Sequence, residues 1–380
     1  MHQESFTERM MVEKATRNHI PISGTFELLP MCNMSCRMCY LKLSREETER
    51  MGGLRSMQEW LSLAKEMAES GTLFLLLTGG EPLLYPDFQP LYTALRNMGF
   101  IITINTNGTL LDEKMADFLA ENKPRRVNVT LYGTCNATYR KICRNPDGFT
   151  QTMRALYLLK ERHIATKLNA TLVPENLEEL DRFHKIAAEL EMPIEVNTYV
   201  VPACRERKTP FPQETRISPE AAATAYVKML DLQLGDEFGK YIRQQLGHLN
   251  YYNQHKKQVE TGAKMSCRAG RSTAWISWQG DLIPCSFMNE PKINVFHNGF
   301  AQSWNDFLAL INEVTLPLEC ANCDLRCLCN ACAAFGKCDT GSTEIKPDYL
   351  CRYTKYIVKL MKEKVTEFEK ESGLCAAENR

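Results

Sequence analysis

Cys32-Asn33-Met34-Ser35-Cys36-Arg37-Met38-Cys39-Tyr40 places three cysteines, separated by three and then two residues, in one loop directly after an apolar, strand-like run. Three thiolates this close together can face one metal cluster. Thiolates are the soft ligands that iron-sulfur clusters require, and a four-iron cubane held by only three of them keeps one iron open for another ligand. With 16 cysteines among 380 residues, chance supplies this spacing about 0.03 times per chain. A zinc knuckle is the competing reading, but zinc takes a closed set of four ligands, and the next cysteine, Cys135, lies almost a hundred residues further on.

Outward from this loop the chain alternates short β-rich runs with amphipathic segments, the pattern of repeated βα units on a parallel sheet. Six strands are expected, near Thr25 to Leu29, Leu73 to Thr78, Phe100 to Asn105, Arg126 to Leu131, Thr166 to Leu172 and Ile194 to Val201. Start and stop signals place helices from Ser56 to Gly71, Asp87 to Gly99, Asp112 to Asn122 and Glu175 to Leu190. The fold class is therefore α/β, an open (βα)6 partial TIM barrel whose site lies at the C-terminal ends of its strands. Gly79-Gly80-Glu81 follows the second strand and lands beside the cysteine loop. Glycines there let the backbone approach a ligand closely, and Glu81 either stabilises local geometry or accepts from an ammonium.

Cys32, Cys36 and Cys39, followed by Thr78-Gly79-Gly80-Glu81-Pro82, resemble the radical S-adenosylmethionine enzymes, in which the open iron is chelated by the methionyl amine and carboxylate. The resemblance implies that Gly79, Gly80 and Glu81 receive the methionyl amine and that the backbone at Met38 approaches adenine. Thr106 and Asn107 after the third strand, Thr130 after the fourth and Asn169 on the fifth supply further cofactor contacts. Arg140 matches the arginine that holds the carboxylate. Tyr132 stands where relatives commonly carry aspartate.

The C-terminal third holds a second cysteine field. Cys267 precedes a hairpin signal, Thr273 to Trp278, then Gln279-Gly280, then Asp281 to Pro284, which returns to Cys285. Cys320, Cys323, Cys329 and Cys332 follow, and Cys351 comes after a gap of eighteen. This field is similar to the twin auxiliary-cluster (SPASM) domain of the same family. That resemblance assigns Cys267, Cys285 and Cys332 to a first auxiliary cluster, with an open iron or a fourth ligand from Cys338, Cys327 or Cys204, and Cys320, Cys323, Cys329 and Cys351 to a second. The spacing before Cys332 is one residue shorter than usual. A pair of structural zinc sites is the alternative. The expected organisation is an extension over 1–22, the barrel over 23–205, a helical bridge over 206–265, a small cysteine-rich SPASM domain with a β-hairpin over 266–352, and a C-terminal helix and tail over 353–380. Cys204, just beyond the sixth strand, is a candidate catalytic hydrogen-atom donor, an auxiliary-cluster ligand, or simply a small buried hydrophobe.

Forty-six basic and 46 acidic side chains balance, so no global field draws the chain to nucleic acid. No run is long and apolar enough to span a membrane, and the N-terminus lacks the apolar core of an export signal. Cysteine-rich chains without such a signal hold their thiols for metals, which predicts a cytoplasmic and anaerobic setting. By resemblance the chain carries three [4Fe-4S] clusters and S-adenosylmethionine, generates a 5′-deoxyadenosyl radical, and abstracts hydrogen from a peptide or protein. Flavodoxin or ferredoxin would donate electrons. Only 22 residues precede the first strand, too few for the leader-binding domain of many relatives, so a separate leader-peptide recognition protein is expected unless a short substrate binds directly. A sulfatase-maturase-like or small-molecule enzyme is the alternative within the family, although Ser286 stands where such maturases place aspartate. A non-catalytic iron-sulfur electron carrier is the alternative outside enzymes, but it leaves the six βα units and Gly79-Gly80-Glu81 unexplained.

Overall fold

The computed structural model describes residues 6–202, 205, 213–265 and 267–377, with side chains to residue 370. Six parallel strands lie side by side in chain order: β1 (Ser23–Glu27), β2 (Phe74–Thr78), β3 (Ile101–Thr106), β4 (Arg126–Thr130), β5 (Thr166–Thr171) and β6 (Ile194–Asn197). The sheet is curved but unclosed, as the sequence predicts. Strands β3, β4 and β5 alternate apolar and polar residues, whereas β2 is apolar from Phe74 to Leu77. Val127 and Val129 of β4 are buried in the main apolar core with Leu77, Ile104 and Leu168, packed against flanking helices such as Met57–Glu69 and Gly148–Glu161. Between those valines Asn128 faces the other way and donates to Asn105 at 2.7 Å. A strand buried in oil on both faces reads as a continuous apolar run, as β2 does; β3 to β5 keep a polar face.

The helix signals have the expected chemistry. Ser56 and Glu59 form a reciprocal capping box, and the Asp112 side chain accepts from the Met115 amide. The β4 to β5 connection, where no start signal stands out in the sequence, holds two helices, Asn136–Cys143 and Gly148–Glu161. β6 ends at Asn197 rather than Val201. Thr198 instead bonds the Tyr353 hydroxyl at 3.0 Å, and the Tyr199 ring packs on Phe335 and Tyr353, so the chain leaves the ladder to meet the C-terminal helix Asp348–Ala377. The helices Pro219–Leu234 and Phe238–His255 pack on that same helix around Phe238, Ile242, Ile357 and Met361.

The hairpin of the second cysteine field does not stand apart. β7 (Thr273–Ile276) pairs in parallel with β1, from Ser23 opposite Thr273 to Phe26 opposite Ile276. β8 (Asp281–Ile283) returns antiparallel after Gly280, which sits at φ +87°, and β9 (Ile293–Asn294) follows. One nine-stranded sheet results, in the order β6-β5-β4-β3-β2-β1-β7-β8-β9.

Candidate functional site

At the C-terminal ends of the parallel strands lies a cavity of 390 Å³ lined by Cys32, Cys36, Met38 and Cys39 on one side. Thr78, Gly79, Gly80, Thr106, Asn107, Thr130 and Tyr132 line the other. The cysteine loop is held by main-chain bonds to two partners. Gly80 donates to the Leu29 carbonyl at 2.7 Å and Glu81 to that of Met31 at 3.0 Å. A Cβ on Gly79 would stand 2.5 Å from the Leu29 oxygen, and one on Gly80 would stand 2.2 Å from that of Met31. Glycine is required here because the two loops touch through their backbones. On the opposite side Ser35 donates to the carbonyl of Cys143 at 2.9 Å and Arg37 to that of Ile142 at 3.0 Å. These are end carbonyls of the helix Asn136–Cys143, which have no partner within the helix.

Glu81 is fully buried. Its carboxylate accepts from the Thr106 hydroxyl at 2.7 Å, the Asn107 amide at 2.8 Å and the Leu83 amide at 3.2 Å. Burial pushes its pKa up from 4.5 to about 7, against the pull of those three donors. Both carboxylate oxygens are thus engaged in positioning the β3 loop, which favours the geometric role over contact with an ammonium. That loop in turn presents Asn107, whose amide nitrogen donates to Asn33 at 2.9 Å and reaches the Cys32 sulfur at 3.7 Å. Burial raises the Cys32 thiol to about 12. Metal coordination would hold it as the thiolate instead.

Three expected cofactor contacts do not line the cavity, Glu81 among them, since its carboxylate is engaged with the β3 loop. Arg140 is exposed on its helix, and Asn169 lies further down β5, where Thr171 reaches the cavity instead. Cys204 lies outside the described residues. Three features went unmarked in the sequence. Cys143 is a fully buried thiol in the apolar cluster against which Cys36 packs. Glu27, the last residue of β1, receives both arms of Arg205 at 2.7 and 2.9 Å, with the two side chains 0% and 1% exposed. Trp275 of β7 adds a third hydrogen bond to Glu27 at 3.3 Å, and the Arg205 guanidinium lies 5.7 Å from the centre of the Tyr40 ring. A charge pair this deep persists only when its members satisfy one another. Here it ties β1 and the cysteine loop to the hairpin. No motif marks it, because a glutamate ending a strand reads as ordinary alternation.

The second field divides into two sets. Cys320, Cys323, Cys329 and Cys351 line a cavity of 40 Å³, with Cys351 delivered by the C-terminal helix. Cys267, Cys332 and, from the other set, Cys329 line a cavity of 380 Å³. Cys285 feels the charges of Cys267 most among the thiols, and Cys332 those of Cys285 and then Cys267, after burial, which pushes both thiols up. Neither Cys327 nor Cys338 lines these cavities, and the Cys338 thiol donates to the Phe287 carbonyl at 3.3 Å. Among the described residues no three His, Cys, Asp or Glu side chains converge on the spacing of a single metal ion.

Residues 26–187 match the sequence model of the radical SAM superfamily. The chain is 23% identical over 333 residues to an AdoMet-dependent heme synthase of Methanosarcina barkeri, covering 83% of this chain and 92% of that one. It is 24% identical over 338 residues to a PqqA peptide cyclase of Rhizobium meliloti, covering 85% and 86%. The solved structure of native anSMEcpe with bound AdoMet shares the fold, with a TM-score of 0.68 at 18% identity over 92% of this chain and 99% of that one.

Proposed function

We propose, from the premise that this chain is a radical SAM superfamily enzyme, that it abstracts hydrogen from a peptide or protein and so modifies it after translation. The observation that carries this reading is the likeness to PqqA peptide cyclase, which over 338 residues is too long to rest on the barrel alone. When bound, a reduced [4Fe-4S] cluster on Cys32, Cys36 and Cys39 supplies the electron that cleaves S-adenosylmethionine to a 5′-deoxyadenosyl radical. The chain's own part is to hold and orient. Gly79 and Gly80 offer close-approaching backbone to the methionyl group, and Met38, Thr106, Asn107 and Thr130 line the same cavity for the rest of the cofactor. Glu81 fixes the β3 loop that carries two of these residues. Cys267, Cys285 and Cys332, and Cys320, Cys323, Cys329 and Cys351, hold two auxiliary clusters. A flavodoxin or ferredoxin delivers the electron.

A second reading has the heme synthase likeness over 83% of the chain in its favour, and it replaces the peptide by a tetrapyrrole. Anaerobic turnover with dithionite and S-adenosylmethionine decides between them. Mass spectrometry of peptides encoded beside the gene, and separately of iron porphyrins, should show a mass change in a peptide alone. A porphyrin product would establish the second reading, and failure to form 5′-deoxyadenosine under any condition would remove both.

A further inference from the structure

The cavity at the strand ends has two kinds of lining. Thr106, Asn107, Thr130, Thr171 and Asn197 bring polar groups from the ends of β3 to β6. Tyr40, Tyr199, Val200, Val201, Phe287 and Phe335 bring apolar surface, and none of these six belongs to the cofactor contacts assigned above. Four of them form two edge-to-face pairs. The Tyr40 and Phe287 rings meet with centres 5.9 Å apart, and those of Tyr199 and Phe335 with centres 5.1 Å apart. Each pair joins a barrel residue to one from the second cysteine field, so aromatic contacts seam the two parts where they border the cavity. The helix Ala333–Thr340 holds both partners from the second field. Phe335 lies on it, its amide donating to the Cys332 sulfur at 3.5 Å, and the Cys338 thiol donates to the Phe287 carbonyl at 3.3 Å.

Charge is missing from this lining. Among the described residues around the cavity there is no Asp, Glu, Lys, Arg or His. Glu81 is engaged by Thr106 and Asn107, Glu27 by Arg205 beside the Tyr40 ring, and the Lys42 ammonium by the Met34 carbonyl at 2.5 Å. A charged side chain entering the cavity would lose its water and find no counter-ion, whereas an apolar one meets aromatic surface. We propose that Phe287, Phe335 and Tyr199 are specificity-determining residues that receive an uncharged apolar side chain of the substrate, aromatic or aliphatic, and turn away acidic and basic ones. This rests on the peptide reading above and names the class of residue that the peptide inserts. The charged end of S-adenosylmethionine is a separate case, because the resemblance gives it the open iron of the first cluster.

The test is binding of four capped pentapeptides to the reconstituted holoenzyme loaded with S-adenosylmethionine. Each has glycine at every position except the third, which carries phenylalanine, leucine, glutamate or lysine. Ligand-observed nuclear magnetic resonance reaches the millimolar range that such short probes require. The phenylalanine and leucine peptides should bind about tenfold more tightly than the glutamate and lysine peptides. Phe287 is 38% exposed, so replacing it disturbs little of the core. Phe287→Ala should weaken the phenylalanine peptide by about threefold to tenfold. Phe287→Lys should reverse the order and place glutamate above phenylalanine and leucine, because the new ammonium supplies the counter-ion that the lining lacks. A change that merely loosened the loop after Cys285 would weaken all four peptides and keep their order, so an unchanged order in Phe287→Lys overturns the proposal. Wild-type binding of the glutamate or lysine peptide as tight as that of phenylalanine overturns it too, as does failure of all four to bind. The peptide reading is decided separately, by the mass change in a peptide encoded beside the gene. If that change appears and the order of binding fails, only the side-chain assignment falls; if a porphyrin product appears instead, both fall.

Discussion

The two cysteine fields solve the same problem in opposite ways. Cys32, Cys36 and Cys39 sit within eight residues, and their loop needs only the end of β1, the turn after β2 and one helix end to hold its shape. The seven assigned thiols of the second field come from a hairpin, a short cysteine-rich stretch and the C-terminal helix, between Cys267 and Cys351. A site written locally is set by backbone contacts. One written across distant segments is set by packing, and it fails when any one of those segments is displaced.

The largest expected effect separates the fields outright. Cys32→Ala with Cys36→Ala and Cys39→Ala should abolish 5′-deoxyadenosine formation and lower the iron content from about twelve to about eight per chain. Unchanged nucleoside release would take the first loop out of the mechanism. Next, Cys320→Ala with Cys351→Ala should also remove about four irons, yet leave cleavage of S-adenosylmethionine in place while modified product disappears. If cleavage fell together with product, the fields would not be separable in function.

A third prediction probes the local site alone. The Glu81 pKa is raised from 4.5 to about 7 by burial, so between those values the folded chain binds the proton more tightly than the unfolded one. The resulting stability is fully present below pH 4.5 and is lost as pH rises through about 7. Denaturant unfolding of the cluster-free chain across this range should show that decline. Glu81→Gln should abolish it and destabilise by about 1–3 kcal/mol, because an amide NH₂ then faces either the Asn107 amide or the Thr106 hydroxyl and Leu83 amide, donor against donor. The smallest effect is expected at Arg140, which is exposed. Arg140→Ala should change the dissociation constant of S-adenosylmethionine by no more than about twofold, measured by equilibrium binding. A tenfold loss would return this arginine to the site.

The local field was legible for the reason that makes it robust: the ligand spacing, the glycine pair and the alternation of β1 to β6 are short-range patterns in one stretch of chain. The grouping of Cys320, Cys323, Cys329 and Cys351 followed only from resemblance, since no spacing rule tells a reader that a helix beginning at Asp348 will carry Cys351 to the others. Arg140 stands clear of the cavity because matching a motif fixes position in sequence, whereas the side chain's direction depends on how its helix is rotated by Tyr139, Ile142 and Cys143 entering the core. Glu27 and Arg205 were invisible for a related reason. Their pairing spans most of the barrel, and neither residue is unusual where it stands.

The parallel pairing of β1 with β7 has a consequence for biosynthesis. Ser23 and Thr273 are ladder neighbours although 250 positions separate them. At about 5–20 residues per second, a ribosome needs roughly 12–50 s to make the intervening chain. Throughout that interval β1 can be covered by β2 on one side only, and its other edge carries unpaired backbone donors and acceptors beside Phe26, the kind of edge that recruits foreign strands. A nascent chain stalled before residue 273 would therefore be sticky along this edge, and the C-terminal third serves the barrel as its late-arriving cover.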